Sequence, residues 1–197
     1  MKLFFYSFAI FLFISCKAQT GKRYPEGITV DPEIEKICNQ KKDSLNSFVV
    51  TYYVNDAVYT NPLSKSFGEF PLTPLVQFTA TDTVINFMNM LSTTGIAITF
   101  SKTGCKVQYY QASRSCLCFK NSLSQDSLSY QASAIPDKMV LVLSNKDNFK
   151  KNNVLYGYIE THGGGYYAKQ GDNNFDKRSA AYRGYFKVNM KEMEFMK

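Results

Sequence analysis

Residues 95–100 read Gly95-Ile96-Ala97-Ile98-Thr99-Phe100. The large apolar residues fall at every second position, so Ile96, Ile98 and Phe100 lie on one side of an extended chain. A period of two is that of a β-strand with one buried face. The pattern repeats on either side. Lys102-Thr103-Gly104 is a turn, and Cys105–Ala112 is the next strand. Thr83–Leu91 and Leu72–Ala80 precede, and Ser47–Val54 (SFVVTYYV) is rich in β-branched and aromatic residues. Downstream, Met139–Leu143 (MVLVL) is apolar on both faces and reads as a central strand. Val154–Thr161, Tyr166–Gln170 and Arg178–Asn189 complete the set. About nine strands at regular spacing with little helix between them predict a mainly-β fold, an antiparallel β-sandwich or barrel.

One helix is expected ahead of the strands. Asp31-Pro32-Glu33 combines an N-cap, a proline at the first helical position and an acidic first turn. Ile34, Ile37, Cys38 and Leu45 follow at helical spacing, which predicts a helix over 32–45 with Ile34, Ile37 and Leu45 against a sheet. There is no internal repeat and no second boundary, so residues 31–197 read as a single mainly-β domain.

The chain carries 23 Lys and Arg against 16 Asp and Glu, a formal net charge of +7. No run of basic residues reaches five. Nucleic acid is therefore not an expected partner, and moderate positive charge serves solubility. There are 14 tyrosines and no tryptophan. Tyrosine suits a half-buried sheet surface, with an apolar ring and a polar tip. Tyr156, Tyr158, Tyr166, Tyr167 and Tyr185, on the C-terminal strands, are the candidate ligand face for a sugar, peptide or lipid.

Catalytic patterns fail when tested. His162-Gly163-Gly164-Gly165 spells the HGGG string of hydrolase oxyanion holes, but no G-x-S-x-G elbow exists to accompany it. His162 is also the single histidine, and one residue cannot serve both the loop and a triad. The string reads instead as a hairpin turn between Val154–Thr161 and Tyr166–Lys169. Asp172-Asn173-Asn174-Phe175-Asp176 begins like a calcium loop, yet Lys177 and Arg183 stand where Gly and Glu are required. The carboxylates are scattered, and only Glu160 falls inside a predicted strand. No catalytic residue, metal site or cofactor is assigned, and the protein is expected not to be an enzyme.

Cys38, Cys105, Cys116 and Cys118 are disulfide candidates. A bond from Cys105 to Cys116 or Cys118 across a hairpin is geometrically natural, and Cys38 could then staple the helix to the sheet. A soft-metal set of Cys105, Cys116, Cys118 and His162 matches no strong spacing.

The N-terminus gives the address. Lys2 is a short positive region, and Leu3–Ser15 is an uncharged apolar run too short to span a bilayer as a helix. Phe13-Ile14-Ser15-Cys16 resembles the lipobox of bacterial lipoproteins, though Phe13 departs from the usual Leu. The resemblance implies that 1–15 is a signal peptide, that Cys16 is lipidated, and that 16–30 is a flexible tether. It implies a bacterial cell-envelope protein anchored in a membrane. Lys17 stands where Asp would favour the inner membrane, and no acidic run follows, which points to the periplasmic leaflet of the outer membrane. Several acyl chains hold a protein stably where one does so only marginally. The functions compatible with this reading are a non-enzymatic binding or interaction module, including an immunity-type protein that neutralises a toxin. A lipocalin-like small-ligand carrier is the alternative, and an envelope hydrolase is the weakest. The expected partners are the membrane and an unknown protein or small ligand.

Overall fold

In the computed structural model, the residues 95–100 lie in a strand at the centre of a five-stranded antiparallel sheet. The structure describes residues 28–41, 45–59, 70–88, 94–102, 104–145, 150–172 and 174–191. The proposed signal peptide and Cys16 lie outside the described residues.

Along the chain the elements are β1 (Ile28–Val30), α1 (Glu33–Gln40), β2 (Ser47–Val54), β3 (Ala57–Val58), β4 (Phe70–Pro71), β5 (Thr73–Phe78), β6 (Thr83–Met88) and β7 (Thr94–Phe100). Then come β8 (Cys105–Ala112), β9 (Phe119–Lys120), β10 (Gln131–Ala134), β11 (Lys138–Leu143), β12 (Val154–His162), β13 (Tyr166–Gln170) and β14 (Asn174–Asn189). They form two sheets. The smaller has the order β10-β8-β7-β6-β5, and the larger runs β1-β11-β12-β14-β13-β9 with β2 also paired to β14.

The fold is thus mainly β with two sheets, and it is not a closed barrel. β5 and β10 end the smaller sheet without meeting each other, which removes the barrel alternative. The strand segments also outnumber the nine expected. The additional ones, β1, β3, β4, β9 and β10, are four residues long or shorter. The end of the stretch read as a tether is one of them. Ile28–Val30 pairs parallel with Leu141–Leu143. β11 is not central as expected; β1 is its outer neighbour, and Val140 is exposed.

The inward positions of both sheets share one core. Ile85, Phe87, Ile96, Ile98, Val107 and Tyr109 come from the smaller sheet, and Phe48, Leu141, Leu155, Ile159 and Phe186 from the larger. Phe87 joins the layers. Its ring centroid lies 5.2 Å from that of Phe48 and 5.2 Å from that of Phe186, both on the opposite sheet. Such tilted pairs add to the area they bury. On strand β7 Ile96, Ile98 and Phe100 alternate into the core, and Gly95 is buried as well, on the other face.

Helix α1 lies on the outer face of the larger sheet, where Ile34 and Cys38 form a second small cluster with Tyr156. Asp31 Oδ1 accepts the Glu33 N–H at 3.0 Å, satisfying one donor of the first turn. Leu45, beyond the helix end, packs on the same cluster.

The HGGG stretch is not a hairpin turn. β12 and β13 are both antiparallel to β14 and therefore run in the same direction. Thr161 pairs with Tyr182 and Tyr166 with Arg178, so five steps on one side face four on the other. The glycines form a bulge with one extra residue. Gly163 and Gly164 have φ of 75° and 71°, a region that L side chains enter at a cost. The Gly164 N–H donates to Asp137 Oδ2 at 2.7 Å. The chain reverses further on, after Gln170 of β13, which pairs with Asn174 of β14.

Candidate functional site

A cavity of about 320 Å³ opens on the outer face of the smaller sheet. Its lining is Leu75, Asn86, Met88, Ala97, Gln108, Tyr110, Gln131 and Ser133. Strand register explains the set. Leu75, Asn86, Ala97 and Gln108 pair in one row across β5, β6, β7 and β8. Met88, Gly95, Tyr110 and Ser133 form the next row across β6, β7, β8 and β10. In both rows the central strand contributes the smallest residue. Ala97 lies low between the longer side chains of β6 and β8 and leaves a trough over β7 there, while at Gly95 the Tyr110 side chain fills the space.

Gly95 is required there by close approach. A Cβ at this position would stand 2.5 Å from the Tyr110 hydroxyl oxygen and 2.5 Å from the Phe87 carbonyl oxygen. The Tyr110 side chain therefore leans across β7 instead of standing off the sheet. Burial pushes its hydroxyl above the ordinary tyrosine value, so it stays a neutral donor and acceptor. None of the eight lining residues carries a charge. They combine three amides and two hydroxyls with Leu75, Met88, Ala97 and a tyrosine ring.

The five tyrosines of the expected ligand face are divided between environments. Tyr166 points into the core, 4% exposed, where its hydroxyl donates to Gln111 Oε1 and its ring meets Phe119 edge-on. Tyr156 is buried beneath α1. Tyr158 and Tyr185 meet on the outer face of the larger sheet, ring centroids 4.9 Å apart. Tyr167 is half-buried on β13. These five do not make one surface.

Glu160 and His162 lie beside Tyr158 on that same outer face. The Tyr158 hydroxyl donates to Glu160 Oε2 at 2.5 Å, and His162 Nε2 lies 2.9 Å from Glu160 Oε1. The Tyr158 hydroxyl, then His162, hold the Glu160 carboxyl below the usual carboxylate range. Burial first, then Glu160, pushes Tyr158 up to about 12. Both carboxylate oxygens are occupied within the protein.

The four cysteines are free, which corrects the expected disulfides. The hairpin assumed for Cys105 does not form. Its strand β8 is flanked by β7 and β10. The chain leaves β8 at Ala112, about 23 Å from Cys105 along the strand, and crosses to pair β9 with β13 in the other sheet. Cys116 and Cys118 travel with that crossing. Cys38 is under α1 on the far side of the larger sheet, its thiol facing the Phe186 and Gly157 carbonyls at 3.7 and 3.8 Å. Burial raises the Cys105 thiol to about 12 and raises Cys38 as well. Cys116 is exposed. The Cys118 thiol, then Ser113, whose hydroxyl lies 3.2 Å from its sulfur, lower its value. Among the described residues no group of three or more His, Cys, Asp and Glu is placed to hold a metal ion.

No protein-family model matches this chain, and no curated protein or solved structure matches it either.

Proposed function

We propose that the protein is a non-enzymatic binding module of the bacterial cell envelope, tethered by lipid at Cys16, that uses the outer face of its smaller sheet. The observation that carries the binding reading is the trough over Ala97 on β7, a depression lined by neutral polar groups and apolar side chains. The tether rests on the lipobox resemblance at Phe13–Cys16. The space between the sheets is occupied by large side chains such as Phe48, Phe87 and Phe186. That packing favours binding on the surface over a lipocalin-like interior. An immunity-type partner would be one protein occupant of such a surface.

Two measurements test the two halves. Cys16→Ser should abolish the lipid mass and move the protein out of the membrane fraction; unchanged fractionation rejects the anchor. Ala97→Leu places a branched side chain in the trough. It should abolish capture of whatever co-purifies with the wild-type protein, while a variant on the opposite sheet, Tyr158→Phe, retains it. Equal capture by both rejects the trough.

A further inference from the structure

We infer that the ligand of the trough is a neutral carbohydrate chain; this rests on the binding reading above and names its chemistry. Charge comes first. Neither row that lines the cavity contains Asp, Glu, Lys or Arg, in a chain where those residues make up 20% of the sequence. The neighbouring row, Val84, Thr99 and Lys106, brings the first cation, outside the cavity. An anionic or cationic ligand would have no partner in the site, and burying its charge unpaired is costly. Neutral ligands remain.

The polar groups narrow the class further. Asn86, Gln108 and Gln131 each offer an amide that donates and accepts at once, and Ser133 and Tyr110 each offer a hydroxyl that does the same. A ligand matched to five such groups is itself dense in groups that both donate and accept. Sugar hydroxyls have that property. A lipid chain does not, and it would leave the three amides without partners.

The apolar groups fit the same ligand. Leu75, Met88, Ala97 and the Tyr110 ring interrupt the amides. Sugar rings carry C–H faces between their hydroxyl edges, and a trough with polar walls and an apolar floor accepts both. Adjacent strands are about 4.8 Å apart, so the backbones of β6 and β8 stand about 9.6 Å apart on either side of β7, and successive rows along β7 repeat about every 6.7 Å. The cavity therefore takes the end of such a chain, seated over Ala97, with the Tyr110 side chain that crosses β7 at Gly95 as one wall.

The test uses the full-length lipidated protein in mild detergent, titrated calorimetrically with short neutral oligosaccharides: β-linked glucose, α-linked mannose and β-linked N-acetylglucosamine. At least one should bind, with an affinity little changed between low and high salt, because no ion pair is made. Gln108→Ala should weaken it about fivefold, the size of one lost hydrogen bond. Tyr110→Ala should weaken it more, and Tyr158→Phe should leave it unchanged. Thermal unfolding of each variant identifies loss of fold, and Ala97→Leu, which removes no polar group, supplies an independent block. Absence of binding by every sugar overturns the inference. So does sugar binding that survives both Ala97→Leu and Tyr110→Ala. A library of short uncharged peptides run beside the sugars separates the two levels. Peptide capture lost in Ala97→Leu, with no sugar bound, leaves the trough a binding site and removes the carbohydrate; no capture of either removes both.

Discussion

The two outer faces of this sandwich are finished in opposite ways. On the larger sheet, α1 covers Tyr156 with Ile34 and Cys38, and the surface beside it is aromatic and charged. Lys41 stands 5.3 Å from the Tyr185 ring centroid and Lys187 5.3 Å from that of Tyr156, with Glu160 and His162 paired nearby. On the smaller sheet the cavity is open and neutral, and its central strand carries small residues. The first face satisfies its own groups. The second presents amides and hydroxyls outward. Sequence composition draws the eye to the tyrosines of the first, whereas the features suited to a ligand lie on the second.

The sharpest break is between the two sides of β7 itself. Ile96 is fully buried and Ala97, its neighbour, faces the trough. Ile96→Ala should cost about 2–5 kcal/mol of stability, through lost burial and the cavity left behind. Ala97→Leu should change stability by no more than about 0.5 kcal/mol while blocking the trough. Urea unfolding of both variants checks the pair, and comparable losses would mean that β7 has no free face.

The second comparison sets a roofed position against an open one. Ile34 is 6% exposed beneath the helix, in a cluster of three buried residues. Ile34→Ala should cost about 2 kcal/mol, the low end for such truncations, because the small cluster at the surface can relax. Leu75→Ala, on the open face, should cost less than about 1 kcal/mol. Equal costs would show that some part of the chain covers the trough.

The bulge gives an effect of similar size. Gly164 has φ of 71°, and a Cβ there would meet the Ile135 carbonyl oxygen. Gly164→Ala should destabilise by about 1–3 kcal/mol, seen as a lower unfolding midpoint. Gly171 also has positive φ, at 72°, but nothing lies within 4 Å of its Cβ position. Its substitution should cost about 1 kcal/mol, the backbone strain alone.

Strand alternation was legible because it depends on neighbours in sequence. Gly95–Phe100 and Cys105–Ala112 state their inner faces without help. The short strands were not, since the two residues of β9 have no period and exist only because β13 is beside them. The glycine run was misread for a related reason. Three glycines permit either a reversal or a bulge, and only the pairing of both flanking strands with β14 decides between them. Free cysteines follow from where the chain goes after Ala112, which no spacing reveals. The trough left a faint signal. Gly95 and Ala97 share a parity with Asn86 and Met88 and with Gln108 and Tyr110, but small residues attract no notice until the register aligns them.

The smallest effect tests how self-contained the larger sheet's face is. The Glu160 carboxyl is held below its ordinary range, so the folded state favours the carboxylate. Such a group contributes stability fully above its unfolded value, about 4.3, and loses that contribution as pH falls through the lower folded value. Glu160→Gln should therefore flatten part of the acid-side decline in stability and leave neutral pH little changed, because the side chain is partly solvated. The Tyr158 hydroxyl is the larger cause and His162 the smaller. Tyr158→Phe should then raise the carboxyl midpoint more than His162→Ala does, read by carbon-detected NMR of the side-chain carboxyl. The reverse order would make the histidine the dominant partner and the face an ionic one. The expected order makes the tyrosine hydroxyl the main holder of that carboxylate and the face a hydrogen-bonded one rather than an ionic one.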